Sequence, residues 1–331
     1  MNKKIHFFTL LILFGLQTAI TFSATSGGIG ITPYYGPKDA KRAWFIYENV
    51  KPGAIINDQV TVTNTTKELL NLVIYPVDAE TARDGGYAPK ADDAKITGVG
   101  GWMTLGASKL SLKPGEQKVI SLKIRIPEKV GIGDHAGTIL VRRETSTETR
   151  KIQNGEDGDE KGETTLNIIT RIGARVYITI AGQLIKKLSF DELTFGKDRA
   201  GKPFFYFALA NEGNTRLTPK GTLEIYDSEN KLLETTDIDL REIFPYTETT
   251  VPVEWKNLRD GKFVAKGIIP DPNGEGRLVA TTAFEWIIPK IPTPVEINST
   301  MQQLLIGAGI LIFILFTIMI LMILVMKRKR K

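Results

Sequence analysis

The 331-residue chain contains no cysteine, which excludes disulfide staples, thiol catalysis, Cys-ligated zinc and a lipid-modified N-terminal cysteine. Its folded parts must rest on cores large enough to stand without cross-links. Histidine is nearly absent as well: His6 lies in a leader-like N-terminus, so His135 is the one imidazole left for chemistry. A Ser-His-Asp triad would have to be built around it. It stands in the glycine-rich stretch Gly131-Ile132-Gly133-Asp134-His135, where a surface or turn histidine is the simpler reading. There is no nucleophile elbow, no H-E-x-x-H and no G-x-x-x-x-G-K-[ST]. Carboxylate pairs for glycan hydrolysis meet only in a fold and stay open. The expectation is a non-enzymatic protein with no cofactor and no metal.

Sustained helical periodicity is also missing between residues 29 and 290. Short alternating runs bounded by Gly, Pro, Asn and Asp take its place, at 59–63, 70–76, 119–126, 138–142, 166–180, 204–210, 221–226 and 249–255. Such runs are half-buried strands, and their recurrence predicts antiparallel sandwiches. The turns Lys51-Pro52-Gly53 and Lys113-Pro114-Gly115 each feed one of these strands, since Pro fixes φ and Gly permits positive φ. They mark either two repeats or two edges of one domain. Residues 144–165 hold little to bury and predict a mobile hairpin tip. Within it, Asn154 to Glu160 packs several oxygen ligands but lacks the spacing of an EF-hand. A solvated acidic loop fits it better, and weak calcium binding stays open.

One long apolar run is present, Leu304 to Met326, capped by five basic residues, Lys327 to Lys331. At ~1.5 Å per residue it would reach ~35 Å and cross a ~30 Å hydrocarbon core. The basic cap then puts the C-terminus in the cytoplasm and residues before 302 outside. Met1 to Ala24 has the three-part layout of a secretory signal, an uncleaved anchor being the alternative. The net charge of +6 needs dividing by these segments. Setting aside Lys3, Lys4 and the five-residue tail leaves 36 basic against 37 acidic residues, a neutral exterior that gives nucleic acid no footing.

The predicted fold class is thus all-β: two tandem Ig-like β-sandwich domains followed by a single C-terminal transmembrane helix. The segments are a signal peptide (1–24), a first sandwich (25–182), a second, membrane-proximal sandwich (183–289), a Pro-rich stalk (290–303), the helix (304–326) and a basic tail (327–331). The expected location is the cell membrane, single-pass, with lipid contacts through the helix and tail. No Leu-Pro-x-Thr-Gly precedes the helix, so a sortase signal is not favoured.

Gly28 to Pro33, Trp44 to Tyr47, Lys51-Pro52-Gly53, Val60 to Asn64, Tyr75 to Asp78, Gly101 to Leu105 and Arg171 to Tyr177 together resemble the N-terminal domain of the WxL-interacting surface proteins of Gram-positive bacteria. Leu209 to Asn214, Pro219 to Ile225, Pro252 to Trp255 and Gly261 to Phe263 are similar to that family's membrane-proximal sandwich. The resemblance implies peptidoglycan binding through the first domain and a surface-protein partner for the second; a scaffold subunit that recognises no glycan is the alternative. Sugar faces pack on aromatic rings. Tyr34, Tyr35 and Tyr87, in the turn-rich contexts Pro33-Tyr34-Tyr35-Gly36 and Asp84-Gly85-Gly86-Tyr87, are therefore the candidate binding residues. Trp44, Trp102, Trp255 and Trp286 abut strand-like runs and are expected in cores.

Overall fold

The computed structural model describes residues 24–35, 42–144, 148–153, 163–168, 170–288 and 310–320. The first group of elements is β1 (Ala24–Ser26), β2 (Ile29–Pro33), β3 (Phe45–Val50), β4 (Ile55–Asn64), β5 (Leu70–Thr81), β6 (Tyr87–Pro89), the one-turn helix α1 (Val99–Trp102), β7 (Met103–Leu105), β8 (Lys109–Leu112), β9 (Gln117–Arg125), β10 (Gly133–Arg143), β11 (Glu148–Gln153), β12 (Glu163–Ile168) and β13 (Arg171–Ile180). The second is β14 (Leu188–Lys197), β15 (Pro203–Asn211), β16 (Lys220–Asp227), β17 (Leu232–Asp239), β18 (Thr247–Glu254), β19 (Gly261–Pro270) and β20 (Arg277–Trp286).

Each group forms a sandwich. In the first, the sheet β1-β2-β4-β9-β7 faces the sheet β3-β13-β10-β5-β6, with β8 paired to β5. Alternation supplies the core: Val60 and Val62 from β4, Ile120, Leu122 and Ile124 from β9, meeting Leu72 and Ile74 from β5 and Ile139 and Val141 from β10. The second stacks β14-β15-β18 on β17-β16-β19-β20. Its core is aromatic, with Phe205 and Phe284 ring centroids 5.1 Å apart and Trp255 5.2 Å from Phe284. Trp255 and Trp286 are buried, as expected. Trp44 and Trp102 are only half-buried, Trp102 against the core margin and Trp44 under the Arg175 guanidinium, 4.9 Å from its ring centre.

The two Pro-Gly turns belong to one sandwich, because the strands they feed, β4 and β9, are direct antiparallel neighbours. Gly53 and Gly115 take φ of 76° and 73°, the left-handed values the sequence requires. At the same point of each sandwich a strand ends in a buried asparagine that ties the following turn. Asn64 donates to Glu68 O and Leu112 O and accepts from the Thr66 amide; Asn211 donates to Thr215 O and Ile243 O and accepts from the Gly213 amide.

Two expectations change. Residues 148–153 pair with 163–168 as a two-stranded ribbon, so part of the expected loop is strand, because its Thr, Ile and Leu alternate with polar residues. The acidic stretch 154–160 lies outside the described residues. In the C-terminal apolar run the described helix covers 310–320, and eleven residues span only ~17 Å of a ~30 Å hydrocarbon core. No helix among the described residues is long and apolar enough to cross a membrane. The expected single-pass membrane location is therefore not supported, because the eleven residues described as helix are too few to cross a bilayer. The signal-like residues 1–23, the stalk and the tail lie outside the described residues.

Contacts gather both sandwiches into one compact unit that ends at Asn257 and resumes from Lys262 to Glu285; Leu258–Gly261 group with the segment from Trp286 onward.

Candidate functional site

β5 carries Asp78 to the end of the first sandwich, where it is buried and accepts the amides of Thr97, Gly98 and Gly100 at 2.8, 2.9 and 2.8 Å. That triple acceptance seats α1 on the strand. Gly100 lies so close to Val77 that a Cβ there would fall 2.5 Å from the Val77 carbonyl carbon. Across from it, Gly133 leads into β10 with φ 108° and contacts Asn214 of the second sandwich so tightly that a Cβ would fall 1.9 Å from Asn214 O. The His135 ring packs tilted against Trp102, with centroids 5.1 Å apart, and its Nε2 is 2.8 Å from Gly131 O.

Asp134 is a joint. Its amide donates to Asn214 O, and its carboxylate accepts from Thr179 in the first sandwich and from Thr215 Oγ1 (2.7 Å) and the Arg216 amide (2.8 Å) in the second. Beside it, Arg216 covers the Tyr177 ring at 4.0 Å, the Tyr177 hydroxyl donates to Glu242 at 3.0 Å, and Arg175 and Arg216 approach the same carboxylate at 3.9 and 3.8 Å. Burial and the neighbouring Glu242 charge push the Tyr177 hydroxyl up to about 12. It stays a neutral donor at every physiological pH.

The turn between β5 and β6 closes the joint from the other side. The Gly86 amide donates to Glu242 O, the Phe244 amide to Thr81 Oγ1, and Arg241, itself at φ 63°, pairs with Asp84. Between these clasps runs a groove of about 580 Å³, walled by Val99, Ile132 and His135 on one side and Phe244, Pro245 and Tyr246 on the other, with Glu80, Lys90 and Arg216 at polar positions. Tyr246 is 72% exposed and held at φ 56°. A bulky residue in left-handed backbone is a true outlier that costs about 1–2 kcal/mol. Here the strain presents an uncovered ring at the groove's rim.

The structure separates the three tyrosines singled out from the sequence. Tyr34 is 38% exposed and Tyr35 half-buried at the end of β2, where the Tyr34 amide donates to Gln59 O. Close by, Asp58 binds Arg42 at 2.6 Å and accepts from the Tyr47 hydroxyl at 2.6 Å, and burial with this bond raises the Tyr47 pKa well above its ordinary value. Tyr87 belongs to the other sheet and is half-buried instead of open. Its hydroxyl donates to Gly137 O and meets Thr138 Oγ1, its ring abuts Tyr177 at 5.5 Å and Phe244 at 5.6 Å, and Arg175 sits 4.5 Å over it. It braces the wall of the groove from behind. Sequence reasoning missed Tyr246, although Pro245-Tyr246 carries the same proline-aromatic signal as Pro33-Tyr34.

Among the described residues no group of three or more His, Asp or Glu is arranged to hold a metal ion. No family model matches the chain, and no curated protein matches it. Similar solved structures include a class 5 fimbriae chaperone, CfaA (14% identity, 78% of this chain and 100% of that one, TM-score 0.33), and the YadV chaperone (11%, 78% and 100%, 0.35). A third is the Salmonella enterica SafA pilin in complex with the SafB chaperone (9%, 80% and 98%, 0.33). Likenesses with TM-scores this low carry no weight for what this chain binds.

Proposed function

We propose that the protein is a non-enzymatic, peptidoglycan-binding protein of the WxL-interacting type, which holds a wall glycan in the groove between the end of its first sandwich and the segment that leads into β18 of its second, and a protein partner elsewhere on that second sandwich. The observation that supports this reading is Tyr246, an exposed ring kept in a strained backbone conformation beside a groove with apolar walls and spaced polar groups. Sugars ask for that combination, an aromatic face for the ring and hydrogen-bonding groups for its edge. Asp134 has its carboxylate committed to Thr179, Thr215 and the Arg216 amide, and His135 turns its Nε2 to a backbone carbonyl, so the pair serves architecture.

Co-sedimentation of the purified chain with cell-wall sacculi tests the proposal. Retention that soluble glycan fragments compete away, with no release of wall fragments, is the expected result. Retention no higher than that of an unrelated β-sandwich would sink it, and fragment release would point to hydrolysis.

A further inference from the structure

Sheet edges are open templates for another strand, and proteins blunt them with short strands, proline, bulges or charge. Among the described residues, seven of the eight strands that end the four sandwich sheets are blunted. β1, β6 and β7 have three residues each. β3 is interrupted just before its end by Asn49 turned to φ 53°. β14 carries a register shift between Phe190 and Glu192. β18 contains Pro252, and β17 carries Glu234, Asp237 and Asp239 with no base among its residues.

β20 is the exception. It runs for ten residues, and its centre, Leu278-Val279-Ala280-Thr281-Thr282-Ala283, has no charge, proline or glycine. Its outward side chains are Arg277, Val279, Thr281, Ala283 and Glu285, all exposed, with Val279 at 47%.

We propose that this edge pairs with the same edge of a second copy. The strand is complementary to itself when laid antiparallel about a two-fold axis through Thr281. Arg277 then faces Glu285 of the second copy, Leu278 faces Phe284, and Val279 faces Ala283. Opposed residues share a face in an antiparallel pair, and here exposed residues meet exposed ones throughout. The contact is isologous, so it closes at two copies. It joins two β17-β16-β19-β20 sheets into one and uses none of the residues that line the groove. The inference does not depend on what that groove binds.

Sedimentation velocity of the full chain tests it, together with a thiol reporter that the cysteine-free sequence makes unambiguous. Thr281→Cys should give a disulfide-linked dimer on mild oxidation, because the two residues oppose each other at the axis, whereas Thr236→Cys on β17 should not. Arg277→Glu should raise the dimer dissociation constant roughly tenfold by setting acid against acid twice. Adding Glu285→Arg should restore it. A chain that is monomeric with Thr281→Cys no more cross-linked than Thr236→Cys overturns the proposal, and so does capture of a strand from a different protein by a chain that stays monomeric. A dimer indifferent to both charge variants overturns the register.

Discussion

Replacing Tyr246 by asparagine should separate what the residue does for binding from what it does for stability. At 72% exposure little more than a quarter of the side chain is covered, about 60 Å² of a ring that carries roughly 200 Å², worth ~1.5 kcal/mol at ~25 cal/mol per Å². Against that loss stands relief of the left-handed backbone, about 1–2 kcal/mol, because asparagine tolerates φ near 56° far better than tyrosine. The two terms nearly cancel, so urea unfolding of Tyr246→Asn should agree with the native chain to within ~1 kcal/mol. Binding should not be spared: one stacked ring is worth ~0.5–1.5 kcal/mol, a roughly 2- to 12-fold loss of affinity for sacculi. Both quantities come from one preparation, through an unfolding curve and a co-sedimentation isotherm. A fall in stability above ~2 kcal/mol would show the ring to be structural, and unchanged affinity at native stability would refute its role as a platform. Tyr246→Gly should weaken binding equally but gain less stability, since glycine returns entropy to the unfolded chain.

Other consequences are open to measurement. Asn64→Ala strands the carbonyls of Glu68 and Leu112 and the amide of Thr66, and should cost ~3 kcal/mol in urea unfolding, with Asn211→Ala comparable. Gly133→Ala drives a Cβ into Asn214 O and should loosen the joint, seen as faster proteolysis between Ala181 and Lys187 with the strand content kept by circular dichroism. Burial works to raise the Asp92 pKa, but hydrogen bonds from Tyr75 and Arg171 outweigh it and hold the carboxyl below its ordinary value. A depressed folded pKa stabilises above the unfolded value near ~4 and is lost as pH falls through the folded value. Asp92→Asn should therefore flatten the acid limb of the stability profile below pH ~4, while a limb unchanged by the substitution would assign the loss to other carboxylates.

Most of the sandwich architecture was legible because alternation is a local property. Val60 and Val62 are buried for the same reason that Thr61 and Thr63 read as their outward neighbours, and the Pro-Gly turns needed only their own φ values. The C-terminal apolar run was legible as helix over its described part, residues 310–320. The groove lay beyond reach altogether, since Asp78, Asp134, Glu242 and Tyr246 are far apart in the chain and converge only when β5, β10 and the segment before β18 meet. Tyr87 shows the same limit from the other side. Its Asp-Gly-Gly-Tyr setting signalled an exposed turn, yet that turn is what the second sandwich grips through Glu242 and Arg241. A turn signal locates backbone reversal and says nothing of what docks on it.

The segment between β13 and β14 is held by Asn214, whose side chain donates to Gln183 O and accepts the Ile185 amide while its own amide donates to Ile185 O. Linker and joint are thereby loaded in parallel. A pull on one sandwich is met by the bonds of Asp134, Asn214 and Glu242 together, and the covalent connection takes up tension only after those have sheared.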